Sequence, residues 1–175
     1  MGQSNVTVAD MRSAKDGLVA LKCGNSKSGY IHIRERHERD WQYFLNKYPI
    51  GGTWDDYMLF ATKNALQAPD PKLGMPQVIP GDKRCYATPV QIRNPQGVVV
   101  DTIHPTVIVS MNNRIVLTSF PAPTAPIASK SSSIPRRTPT RCAGADRAAH
   151  AIRLWNELAV VRRMLAYPLG NCRLA

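Results

Sequence analysis

Between Cys85 and Phe120 the chain reads CYATPVQI, NPQG, VVVDTI, HP, TVIVSM, NN and RIVLTSF, short stretches rich in β-branched residues punctuated by turn formers. A side chain branched at Cβ suits a pleated, half-buried surface better than a helix. A meander of about four antiparallel strands is expected here. Asn112-Asn113 tolerates positive φ and should make a two-residue hairpin turn. Pro89 has no amide proton to give a ladder, so the first of these strands should be an edge or bulged.

Ahead of the strands the apolar period changes. His37, Trp41, Phe44, Leu45 and Tyr48 recur at helical spacing, which predicts a helix from Ile33 to Lys47 that stops before Pro49. Gly51-Gly52 breaks the chain, and Thr53 followed by Asp56 resembles a capping box that opens a second helix through Gln67. The expected class is α+β: two N-terminal helices packed on an antiparallel sheet of about four strands, then a disordered linker and a C-terminal helix.

Composition marks the divisions. Residues 1–121 hold 14 basic and 10 acidic side chains, whereas residues 122–175 hold 9 and 2. The reading is an N-terminal extension at 1–27, a folded domain at 28–121, a Pro/Ser/Arg-rich linker at 122–144 and a basic amphipathic helix and tail at 145–175. A net charge of +11 favours polyanionic partners, either nucleic acid or an anionic membrane surface, and the tail helix could touch the latter. No apolar run of signal-peptide or membrane-span length occurs, so a protein delivered elsewhere would need another segment or machine to carry it. Cys23, Cys85, Cys142 and Cys172 form no metal-ligand spacing and read as scattered free thiols; no metal or cofactor is expected.

The chemistry concentrates in GYIHIRERHERDW, Gly29 to Trp41. Cleaving RNA without a metal needs a base for the 2′-OH proton, an acid for the leaving 5′-oxygen, and donors around the phosphorane charge. Histidine, with an ordinary pKa of roughly 6.5, suits the first two tasks, and arginine the third. His32 and His37 lie about 140° apart on a helix, so both reach one site only if His32 precedes the helix in an extended arm. The plainer alternative is a solvated helix face, with Glu35 and Arg39 as an ordinary ion pair one turn apart. In NNRIVLTSFP, alternation places Arg114, Val116, Thr118 and Phe120 on one face and Ile115, Leu117 and Ser119 on the other, making Thr118 the better hydroxyl candidate. His104, before Pro105, is a weaker third histidine.

The order of these features, from Ser28 to Pro121, resembles the small nuclease domains at the C-terminal ends of bacterial polymorphic and contact-dependent inhibition toxins, in the broad grouping of barnase, EndoU, the tRNA-cutting colicins and the RelE-like toxins. That resemblance implies a metal-independent endoribonuclease toxin acting by 2′-OH transesterification on RNA such as tRNA, in the cytoplasm of a target cell, with a cognate immunity protein covering the cleft. It places His32, His37 and Thr118 in the catalytic roles, and Arg34, Arg36, Arg114 and Ser119 on the phosphates. The competing function is a non-catalytic basic nucleic-acid-binding module.

Overall fold

The computed structural model describes residues 3–48 and 51–122. The expected linker beyond Ala122 and the expected tail helix lie outside the described residues. Within them are two α-helices and seven strands, so the expectation of two N-terminal helices on a four-stranded antiparallel sheet is corrected in three respects.

First, the chain opens with strands. Residues assigned above to an extension form the hairpin of β1 (Thr7–Ser13) and β2 (Gly17–Lys22), followed by α1 (Gly29–Lys47) and α2 (Trp54–Gln67). Val19 and Leu21 alternate into the core, but a bulge near Thr7 and Ala9 breaks the period in β1, which hides the hairpin from a pattern search. Secondly, there are more strands: β3 (Gln77–Ile79), β4 (Lys83–Ala87), β5 (Val90–Arg93), β6 (Val99–Ser110) and β7 (Ile115–Ala122). Thirdly, the sheet is mixed. Its order is β1-β2-β7-β6-β4-β3, with β5 on the outer half of β6, and β2 meets β7 in parallel at the single bridge Ala20↔Ile115.

The proline expectations resolve differently. Thr88-Pro89 splits one expected strand into β4 and β5. Pro105 does not split β6; it lies opposite Pro121, so neither strand asks the other for an amide proton at that rung. The expected Asn-Asn turn is instead four residues, 111–114, with the left-handed residue at Arg114 (φ 52°) rather than at an asparagine. Asp82 holds this longer turn by accepting from Met111 N and Asn112 Nδ2.

Both helices pack on one face of the sheet, where Val19, Leu21, Ile33, Trp41, Met58, Leu66, Tyr86, Ile103, Val107 and Val109 form the main core. Thr53 caps α2 through the reciprocal bonds expected with Asp56. On the other face a small cluster of Leu73, Met75, Cys85 and Ala87 sits under the proline-rich loop. Cys23, in the main core, and Cys85, in the smaller cluster, are buried and each is in a disulfide, which corrects the reading of them as free thiols. Past the Ala20 bridge, α1 packs on β7, and the Trp41 indole N–H donates to the Ser119 carbonyl at 3.3 Å.

A bulge in β7 decides which side chains face which way. Ile108 pairs with Thr118 but Val109 with Val116, leaving Leu117 as the extra residue. Val116 and Ser119 therefore turn to the helices, and Thr118 turns to the opposite face beside Ile108. Simple alternation had joined Val116 to Thr118. The Ser119 hydroxyl is fully buried at 2.7 Å from that of Thr62. Ser119→Ala should cost about 1–3 kcal/mol in urea unfolding by stranding a buried hydroxyl. An unchanged unfolding midpoint would mean that the hydroxyl pair does not hold the core.

Candidate active site: a basic cleft between α1 and the β3–β4 turn

The segment before α1 is built on two glycines. Gly24 (φ +69°) and Gly29 (φ +82°) pack so closely that a Cβ on Gly24 would lie 1.9 Å from the Ser28 carbonyl oxygen, and one on Gly29 2.7 Å from that of Lys22. The compact turn between them carries Lys27 and presents the Ser26 carbonyl, which accepts from His32 Nδ1 at 2.9 Å. That bond assigns the proton to Nδ1 in the neutral ring and leaves the Nε2 lone pair free.

His32 belongs to the first turn of α1, not to an extended arm. Its ring nevertheless meets that of His37 edge to face, with centroids 5.9 Å apart. The leaning of helical side chains closes a gap that the helical wheel alone would leave open. His37 also lies against Phe120 of β7, centroids 5.2 Å apart, and its Nδ1–H donates to Asp40 at 3.2 Å. Burial pushes the His37 pKa below its ordinary 6.5; Asp40 opposes this, while the neighbouring His32 and Arg36 reinforce it.

Beside His32 opens a cleft of about 260 Å³. One wall is Lys27 and His32, the other Ile79 and Lys83, and the floor is Ile108, Leu117 and Thr118. The Thr118 hydroxyl is buried in that floor with no hydrogen-bond partner, an arrangement that costs about 1–3 kcal/mol. A χ1 rotation toward a phosphate oxygen would satisfy it.

The arginines are placed less favourably. Arg36 is exposed and close enough to His37 to lower its pKa. Arg34 acts instead on Tyr30, on the side where Tyr30 donates to Asp55. Arg114 is exposed in the turn before β7 and does not line the cleft. Lys27 and Lys83 are the cations that do. Sequence reasoning missed both because neither carries a local signal: Lys27 sits in the NSKSG turn, Lys83 opens β4, and only the pairing of β4 with β6 brings Lys83 to the cleft.

The fold and cleft thus define an α+β domain with a mixed seven-stranded sheet and a basic, histidine-bearing cleft. No family model matches the chain. Two uncharacterized proteins of Mycobacterium tuberculosis, from strains CDC 1551 and H37Rv, are each 30% identical to it over 122 residues, which covers 66% of this chain. The chain spans 41% of the length of these curated relatives. Among the described residues no helix is long and apolar enough to cross a membrane.

Proposed function

We propose that the cleft is the active site of a metal-independent endoribonuclease of the bacterial toxin type. The observation that supports this best is the contact between the His32 and His37 rings beside a cleft walled by Lys27 and Lys83. In this reading neutral His37 takes the proton of the 2′-OH on Nε2, and the 2′-oxygen attacks phosphorus. The P–O5′ bond breaks, and the 5′-oxygen takes a proton from the His32 imidazolium. Lys27, Lys83 and the rotated Thr118 hydroxyl stabilise the nonbridging oxygens, with Arg36 adding positive potential. The products are a 2′,3′-cyclic phosphate and a 5′-hydroxyl. Disulfide-bonded cysteines persist in oxidising compartments, which fits a protein that travels between cells before acting on RNA in a target cytoplasm. An immunity protein would then be an acidic partner fitted to the same cleft.

The test is incubation of the full chain with total tRNA in EDTA, followed by end-group analysis. Fragments ending in 2′,3′-cyclic phosphate are expected. Intact RNA bound with a steep salt dependence would replace this reading with that of a binding module.

The pH profile carries a sign. A base whose pKa is held below 6.5 stays unprotonated further into acid, so the acidic limb of kcat/KM should fall below pH 6.5. Stability also falls toward acid: the unfolded chain takes up the proton first, so burial of neutral His37 costs nothing above its ordinary pKa. The cost grows as pH falls from 6.5 toward the depressed folded value. An acidic limb above pH 6.5 would remove His37 as the base.

A further inference from the structure

The His32 wall of the cleft continues outside it, along α1. At about 100° per residue, Arg36, Arg39 and Tyr43 fall with His32 inside an arc of about 60°, each three or four residues beyond the last. They make one surface stripe that leaves the cleft at His32 and runs about 16 Å along the helix axis to Tyr43. Arg36, Arg39 and Tyr43 are all exposed, so no covered residue interrupts it.

The stripe differs from an ordinary solvated helix face. Such a face ties its charges together one turn apart, but the expected pair of Glu35 and Arg39 does not form. Among the described residues neither Arg36 nor Arg39 has an ion-pair partner, while Asp40 is turned to His37 Nδ1 and Glu38 lies on another flank, where it acts on Tyr30. Both guanidiniums are thus available to an anion. Tyr43, 58% exposed, is the one exposed aromatic side chain among the described residues, and Phe44 braces its ring edge to face with centroids 5.4 Å apart. A lone exposed aromatic is commonplace. One that follows two unpaired arginines on the same stripe, in line with a basic cleft, has the layout of a single-strand track, where cations hold the backbone and a flat ring receives a base.

Resting on the ribonuclease reading, we propose that this stripe carries the single-stranded RNA flanking the scissile phosphate, with Arg36 and Arg39 on successive phosphates and an unpaired base stacked on Tyr43. The cleft then holds one nucleotide between Lys27 and Lys83, and α1 holds the strand leading out of it. A duplex keeps its bases stacked on one another and offers none to Tyr43, so the stripe selects single strands or loops.

The test uses the full chain with a single-stranded 2′-deoxy-oligonucleotide, which lacks the attacking hydroxyl and binds without being cut. Tyr43→Ala should weaken its binding about tenfold, the contribution of one stacked base, and Tyr43→Phe should bind as wild type does. A mononucleoside phosphate, which occupies the cleft alone, should bind equally to all three. Arg39→Gln should reduce the slope of log affinity against log salt by about 0.7, the share of one phosphate contact. With iodouracil in the strand, the photochemical cross-link should land on Tyr43. No oligonucleotide binding, binding by Tyr43→Ala within twofold of wild type, or a cross-link confined to other residues would overturn the stripe, and tRNA cleavage by the same protein would still uphold the cleft. A protein dimer that dissociates on Tyr43→Ala would also overturn it, since the face would then be a contact between copies. Oligonucleotide binding that depends on Tyr43 with no cleavage of RNA would keep the stripe and sink the catalysis. If Tyr43→Ala unfolds the protein, the cross-link on wild type decides.

Discussion

Replacing His37 with alanine should lower tRNA cleavage in EDTA by about 10²–10⁴-fold, the usual contribution of a positioned acid or base. The fold should survive. The His37 side chain is 23% exposed, its bond to Asp40 is long and solvent-facing, and its chief packing partner is Phe120. Loss of that ring contact costs about 0.5–1.5 kcal/mol. Ile33, Trp41 and Phe44 share the helical stripe of His37 but are buried in the main core through contacts of their own, which the substitution leaves in place. Affinity for an uncleavable 2′-deoxy strand should change little, because Lys27 and Lys83 still line the cleft. The pattern sought is a large fall in kcat with nearly constant binding and a small shift in Tm. Cleavage within twofold of wild type by well-folded His37→Ala would end the case for this residue. Activity lost in proportion to folded protein would make its role structural.

Where the sequence could be read, and where it could not, follows from the range of the interactions. The capping box at Thr53 and Asp56 and the limits of α2 depend on neighbours within one helical turn, and they stand as expected. The Thr118 face depends on a bulge at Leu117, which is a property of the β6–β7 pair and not of either strand. Alternation along β7 alone therefore puts Val116 on the wrong side of Thr118. The early hairpin was missed because β1 is irregular and its partner strand is six residues long. His32 and His37 could be picked out as residues, but the helical wheel treats side chains as radial, so their contact was not legible. Lys27 and Lys83 carry no local signal at all.

Among the long-range ties, the loss of the one at Asp16 should unfold the domain most. Asp16, in the β1–β2 turn, has a side chain only 8% exposed, and it forms an ion pair with Arg84 and accepts from Tyr86 Oη at 2.6 Å. Ser13 in turn donates to Tyr86 Oη at 2.7 Å, and Ala14 N donates to the Leu66 carbonyl at the end of α2. Burial, and then the Asp16 carboxylate, push the Tyr86 phenol up, so it remains a donor throughout the neutral range. One carboxylate thus fastens the N-terminal hairpin to β4 and curls the sheet around α2. Asp16→Ala leaves the half-buried Arg84 guanidinium without its counter-charge and the Tyr86 hydroxyl without its acceptor, and should cost about 2–3 kcal/mol in urea unfolding, a sizeable share of the stability of a domain this size. Arg84→Met, which removes the other charge but keeps the stem, should cost less. Combining the two should recover part of the Asp16→Ala loss, because no buried charge is left unpaired. Lys83 adjoins Arg84 in β4, so a loosened β4 should also weaken oligonucleotide binding in the cleft, and that effect should disappear with the double substitution if the wall is restored. Additive costs in the double variant would mean that Asp16 and Arg84 act separately and that the hairpin is held by its apolar residues alone.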